Sequence, residues 1–421
     1  MLAYIPFIYF TLSLIIHLAN PKKRFGAGAM SLLWIDISAF FSILLDSKNL
    51  YGQFGCNEYA ISFTGVLLYC LLWTIILVPI LKLDHKDITL EKQLSKPGLF
   101  KFVCIFIIIC MSIRLLTTDY LAILKEILQS DSSDIYASKL EKDVYSGGAN
   151  LFWLWIPNIV SSFTVLYLLC WWKSITICQQ SKLISTCLLL FSSFAMLLEF
   201  ATGGRAQLIW WIAMFLILYF LFKSALSHKQ NKYILVVFSC FFTIVFTGFI
   251  IITLSRFDDG ASNAIDSLIG YSGQQLNNFC AILPYVDIAH LYPDRVFPLC
   301  QYIINKQPYD MLEYYSFLHD VYPIRMNVFF TLFGSLLIDT GILGLLIFLL
   351  LYYVLTAKLN SSNDVINSSS LFMWGLLFCI PVRGLFGWPY TNFSNTLYIW
   401  FSIALFILFH YNIKSGDKKI V

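Results

Sequence analysis

The chain has 421 residues, 59% of them hydrophobic and only 12% charged, with 28 basic against 24 acidic side chains. Soluble domains carry charge on about a quarter of their residues, so this balance excludes a water-soluble enzyme and a nucleic-acid-binding protein. The net charge of +4 matters less than where the charges fall.

Apolar runs of about 18 or more residues recur along the sequence, each long enough to cross a hydrocarbon layer about 30 Å thick as a helix. They predict helices near 2–19, 29–45, 60–81, 100–116, 151–172, 183–200, 206–222, 233–254, 326–356, 369–387 and 393–412. The expectation is an all-α polytopic bundle of about eleven transmembrane helices, one membrane domain over 1–421, with one large external loop at 256–325 that contains short helices. The first run, Leu2 to Ala19, lacks a basic leader and a small-residue cleavage site and reads as a retained helix.

Lys22-Lys23-Arg24 follows the first helix, and Lys82, Lys86, Lys92, Lys96 and Lys101 fill the third link. Lys173 and Lys182, then Lys223, Lys229 and Lys232, then Lys358, and finally Lys414, Lys418 and Lys419 fall on the same side. The positive-inside rule makes that side cytoplasmic, which leaves the amino terminus outside and the carboxyl terminus inside. Every arginine except Arg24 then sits on or near the outer face: Arg114, Arg205, Arg256, Arg295, Arg325 and Arg383. Orientation requires only positive charge, whereas the planar guanidinium fork suits bidentate binding of phosphate. An anion held outside is the implication.

The link from Thr117 to Asn150 is also external; Asp119 to Gln129 has the pattern of a short amphipathic helix, and the rest reads as solvated connection. Glu199-Phe-Ala-Thr-Gly-Gly-Arg205 joins the sixth and seventh helices. Gly203 and Gly204 permit a sharp turn, and Arg205 at a helix amino terminus would complete an anion site with Glu199 as its partner. The other reading is a tight hairpin whose arginine reaches to the interface.

Within 256–325, Leu268, Ser272, Leu276, Phe279, Cys280 and Leu283 share one helical face, and Gln274, Gln275, Asn277 and Asn278 the other. That pattern predicts a helix in the interface or folded over the bundle. Prolines 293, 298 and 308 then break the chain into pieces rich in tyrosine, including Tyr314 and Tyr315. Tyrosines can mark the membrane interface; beside the amides of Gln274 and Asn278 they also suit the flat faces and hydroxyls of sugars. Cys280 and Cys300 are either a disulfide or two packing residues. Asp36 and Asp339 lie deep in apolar runs, as a functional carboxylate or a hydrogen-bonded packing group would. No metal-ligand or nucleotide-binding pattern occurs, so neither metal nor cofactor is expected.

The helix count, the Gly-Gly-Arg turn, the single large external loop and the run Arg325-Met-Asn-Val-Phe-Phe-Thr-Leu-Phe-Gly-Ser-Leu-Leu-Ile-Asp-Thr-Gly-Ile-Leu-Gly344 together resemble the Wzy family of O-antigen and oligosaccharide repeat-unit polymerases. The resemblance implies a metal-independent glycosyltransferase that moves a growing glycan from its undecaprenyl diphosphate to a hydroxyl on the next lipid-linked unit. Lipid-linked oligosaccharides and membrane lipid would be its partners, with room for a chain-length regulator. A departing diphosphate needs its charge stabilised, which points to Arg205, Arg256 and Arg325. The acceptor hydroxyl needs a base; His319 beside Asp320 is the first candidate, against a plain surface histidine, with His290, Asp258 and Glu199 behind it. An O-antigen ligase would share this chemistry. A lipid-linked oligosaccharide flippase is the alternative of a different class, and the two deep aspartates are its support.

Overall fold

A computed structural model describes the chain except for residues 57, 92–93, 95, 118–154, 179, 202–205, 256–260, 291–310, 362–364, 392 and 412–421. It is helical, and extended structure among the described residues is limited to two named strands of two residues each. In chain order the main helices are α1 Tyr4–Ala19, α2 Ala27–Lys48, α3 Phe63–Leu81, α4 Pro97–Thr117, α5 Trp155–Ser161, α6 Thr164–Lys173, α7 Lys182–Ala201 and α8 Ala206–Phe222. They continue as α9 His228–Ser255, α10 Ala261–Gly273, α11 Gln275–Ile282, α12 Met311–Val321, α13 Thr331–Ser361, α14 Ser368–Arg383 and α15 Phe393–Tyr411.

Each of the eleven predicted helices has a helical counterpart. Five described helices are long and apolar enough to cross a membrane, and six if the bent pair α5 and α6 makes one span. The helix predicted over 151–172 is this pair, bent by 67°. Four shorter apolar helices, Tyr4–Ala19, Lys182–Phe194, Ser368–Arg383 and Ser394–His410, fall below that length.

The chain divides into two compact units, the first Met1–Thr89, Ile265–Ile366 and Leu376–Ile399, the second Leu90–Ala264, Asn367–Gly375 and Trp400–Val421. Within the second unit, the Tyr167 hydroxyl of α6 donates to Ile107 O of α4 at 2.7 Å. Lys173, 1% exposed, places its ammonium 5.4–5.7 Å from the ring centres of Phe100, Phe372 and Phe409. A buried cation among aromatic faces is stabilised by their quadrupoles, and here it joins residues from four helices.

Within the first unit, the start of α2 is capped by a distant carboxylate. Asp84, fully buried, accepts from Gly28 N at 2.9 Å and Ala29 N at 2.6 Å, and its other contact is His17 Nε2 at 3.0 Å. These amides belong to the first turn of α2 and have no helical partner of their own, so the acid both satisfies them and binds the end of α3 to α2. Asn49, in the left-handed region at φ 53°, ends α2.

Of the loop expected at 256–325, residues 261–290 and 311–325 are described. Helix α10 packs beside α2 and passes into α11 through Gln274, which keeps helical dihedrals and helical bonds on both sides, Gln274 N to Gly270 O at 3.1 Å and Asn278 N to Gln274 O at 3.0 Å. Lys48 Nζ meets Asp266 Oδ1 at 2.5 Å at the end of α2, and further along Ser42 Oγ donates to Gly273 O at 2.7 Å and Ser38 Oγ to Ser272 O at 2.9 Å. Ser38 lies ten residues from Lys48, so these contacts cover about 15 Å along α2. A Cβ at Gly273 would stand 2.4 Å from Phe41 O, so only glycine permits this approach. All eight residues of α11 are buried, polar ones included. The amphipathic pattern of 268–283 therefore does not mark an interface helix, because its second face packs against the chain rather than against water.

The helix expected over 326–356 as one crossing is two limbs. Gly341 carries φ 70° and ψ −170°, conformations that only glycine adopts cheaply. Ser335 Oγ in the first limb accepts from Trp388 N at 3.2 Å, while Phe348 in the second lies 5.5 Å from the Trp388 ring. A straight helix would hold residues 335 and 348 about 20 Å apart along its axis, so the shared contact requires the corner at Gly341. The first limb, Thr331 to Thr340, is buried on every side. The second has 20 residues from Ile342 to Ser361, and that limb by itself is about 30 Å long, the thickness of a bilayer core.

Gly341→Ala would force a left-handed φ on a residue with a side chain and put a Cβ 2.9 Å from Asp287 O. The expected cost is about 1–3 kcal/mol, read as a lower thermal unfolding midpoint of the detergent-solubilised protein; an unchanged midpoint would contradict the corner.

Candidate functional site

Three groups of polar residues gather at the end of the first unit that carries Lys48. The first surrounds Arg325, on the non-helical stretch before α13. Its Nε donates to Asn327 Oδ1 at 2.9 Å and its Nη1 to Gln53 O at 3.1 Å. A guanidinium has five donors; here one is used at Nε and one at Nη1, and neither Nη2 donor has a described partner. The side chain is partly exposed. Anchored through two nitrogens, it presents its Nη2 donors as the ones that can meet a phosphate or carboxylate oxygen.

The second group lies where α10 passes into α11. Gln274 Oε1 accepts from Asn278 Nδ2 at 3.0 Å and from Phe329 N at 3.3 Å. Asn278 Oδ1 accepts from Cys56 N at 3.0 Å, and its Nδ2 also donates to Phe329 O at 3.1 Å. Asn277 Oδ1 accepts from Ala60 N at 2.8 Å, and its Nδ2 donates to Glu58 O at 2.9 Å. These amides stitch the segments 56–60 and 329 to α11. Gln274 and Asn278, expected at sugar, are 3% and 0% exposed, with their polar atoms spent on the chain itself. Burial also pushes the Cys56 thiol upward; held protonated, it is no nucleophile.

The third group closes the corner of α13. Breaking the helix at Gly341 releases amides and carbonyls, and residues 287–290 take them up. Ile342 N donates to Asp287 O at 3.2 Å, Leu343 N to Ile288 O at 3.0 Å, and the His290 ring meets Ile338 O through Nε2 at 2.6 Å. A carbonyl can only accept, so Nε2 carries the proton. His290 Nδ1 lies 3.7 Å from Asp287 Oδ2. Beside it, the Tyr314 hydroxyl donates to Asp339 Oδ1, and Asp339 is fully buried. Asp339 thus stands at the corner, one limb of α13 away from the far side, and not midway along a single span. Asp36, in the middle of α2, receives the Thr11 hydroxyl at 3.1 and 3.0 Å on its two oxygens.

His319 and Asp320 are exposed, on the face of α12 opposite Tyr314 and Leu318, which pack with Tyr322, Ile324 and Met326 in a buried cluster. Among the described residues no contact brings either to Arg325, and the Tyr314 hydroxyl expected at sugar is engaged by Asp339. Glu199 lies on α7 and Tyr315 on α12. Gly203, Gly204, Arg205, Arg256, Asp258, Arg295 and Cys300 fall outside the described residues, as does the predicted amphipathic helix at 119–129. Cys280 is buried. Among the described residues no group of three or more His, Cys, Asp or Glu side chains is placed to hold a metal.

The amide stitching was the functional grouping the sequence reading missed. Its signal was present: two adjacent amide pairs, Gln274-Gln275 and Asn277-Asn278, flanked by Leu276 and Phe279. Buried amides must find partners, and a helix polar on one face and buried on both was the reading that would have found them.

No family model matches the chain, and neither the curated proteins nor the solved structures contain a significant match.

Removing the Tyr314 hydroxyl takes a donor from a fully buried carboxylate, so Tyr314→Phe should cost about 1–3 kcal/mol. His319→Ala, at an exposed site, should leave the unfolding midpoint within about 0.5 kcal/mol of the parent. Equal midpoints for the two variants would contradict this placement.

Proposed function

We propose that this chain is an inner-membrane glycosyltransferase that polymerises undecaprenyl-diphosphate-linked oligosaccharide repeat units on the periplasmic face. The observation that carries the reading is Arg325: a partly exposed guanidinium anchored through Nε by Asn327 and through Nη1 by Gln53, with Nη2 uncommitted among the described residues. A preorganised fork of this kind stabilises charge where it develops on a leaving diphosphate and needs no reorganisation to do so. Arg205 and Arg256 join it in the proposed grip, and the acceptor hydroxyl gives its proton to a base of the same loop, His319 with Asp320 first.

The flippase reading loses support at one of its two carboxylates. Transport sites lie near the midplane, and Asp339 sits at the corner of α13 beside the loop residues 287–290, with Asp36 alone midway along a span candidate. The ligase reading differs only in its acceptor, so supplying lipid-linked units without lipid A core separates the two: a polymerase still lengthens chains.

In cells lacking the gene, the parent sequence should restore a lipopolysaccharide ladder, while Arg325→Ala and Arg205→Ala each reduce polymer by about 10²-fold or more, the scale of a lost transition-state donor. Arg205→Lys should rescue poorly, because a point charge does not reproduce the fork. Full ladders from both alanine variants, with the proteins present in the membrane, would remove these roles.

A further inference from the structure

We infer that Asn278 is a positioning residue for the Arg325 anion grip, tying together the two chain segments that aim the guanidinium. The inference rests on the proposed function, since it assigns to one buried amide the task of setting the geometry of that site.

Arg325 is held by Gln53 O and by Asn327, so its aim depends on the relative placement of two segments far apart in sequence. Gln53 lies three residues before Cys56, and Arg325 four residues before Phe329. Asn278 bonds to both far ends: Oδ1 accepts from Cys56 N at 3.0 Å and Nδ2 donates to Phe329 O at 3.1 Å. The assignment of its two ends is unambiguous, because an amide nitrogen can only donate to Oδ1 and a carbonyl can only accept from Nδ2. Gln274 completes the clasp, accepting from Phe329 N at 3.3 Å and from Asn278 Nδ2 at 3.0 Å.

The clasp is rigid for a physical reason. Asn278 is fully buried in the first turn of α11, where water cannot replace a broken bond. Its neighbours are fixed as well: a Cβ at Gly55 would stand 3.3 Å from Asn278 Oδ1, and Gly273 lies against the backbone of α2. Movement of this turn would therefore carry Gln53 and Arg325 with it. A single misaligned edge is costly for a bidentate grip, which requires both N–H vectors to point correctly at once.

The test is a double-mutant cycle on farnesyl diphosphate binding by the full-length detergent-solubilised protein, followed by calorimetry. Asn278→Asp keeps the volume and the oxygen facing Cys56 N but loses both donations from Nδ2. Arg325→Ala and Asn278→Asp are each expected to weaken binding about tenfold, and the double variant to bind no more weakly than Arg325→Ala alone, because the amide acts only through the guanidinium. Additive losses, or parent affinity in Asn278→Asp, would overturn the positioning role. Should the aspartate variant fail to fold, Gln274→Met removes the acceptor of Phe329 N without a buried charge, and the same non-additive loss is expected; additivity there overturns the inference equally. Parent affinity in Arg325→Ala would instead remove the anion grip on which the inference stands, an outcome distinct from the other two.

Discussion

Inside an apolar bundle, a backbone N–H or C=O that leaves its helix must be paired again by protein, at a penalty of several kcal/mol if it is not. The first unit meets this constraint wherever its helices stop short. At Gly341 the released groups of α13 are taken up by residues 287–290 and the His290 ring. At Phe329, where the chain is not helical, both backbone groups are bonded to Gln274 and Asn278. At the start of α2, the carboxylate of Asp84 receives two first-turn amides. Distant segments are thereby fastened to one another, and residues 265–290 are packed into the first unit.

This fastening sorts the polar residues into two kinds. Asp339, Tyr314, Gln274, Asn277 and Asn278 are buried and spend their hydrogen-bonding capacity inside the chain. Arg325 is anchored by two donors and keeps the rest of its fork open, while His319 and Asp320 face outward on α12. Binding and proton transfer need groups of the second kind, supported by groups of the first. Under the proposed function, the chemistry would take place at the surface of this end, with the buried amides as its framework.

Eleven helices were legible because apolar length and composition mark them, and each run has a helical counterpart among the described residues, five or six of them long and apolar enough to cross a membrane. Their breaks were not legible. The run Leu336-Leu-Ile-Asp-Thr-Gly-Ile-Leu-Gly-Leu-Leu346 shows no interruption of hydropathy at Gly341, and glycine is common enough in membrane helices to give no warning. For α10 and α11 the pattern left an interface helix and a helix folded over the bundle both open, because a polar face does not say what meets it; α2, Phe329, Cys56 and Ala60 supply the partners water would otherwise provide. Arg325 was singled out by the bias of arginine against lysine, although nothing local to it in sequence pointed to Gln53. The Gly203-Gly204-Arg205 turn and Arg256 lie outside the described residues, so the proposed grip rests on Arg325 and on the sequence.

The most direct measurement reconstitutes the purified full-length protein in lipid vesicles with undecaprenyl-diphosphate-linked repeat units and a metal chelator, and follows glycan length with time. If the chain is a metal-independent polymerase, a ladder of multiples of the repeat unit grows while free undecaprenyl diphosphate accumulates in step with each bond formed. Units that stay single, or that cross the vesicle membrane without being joined, would contradict it.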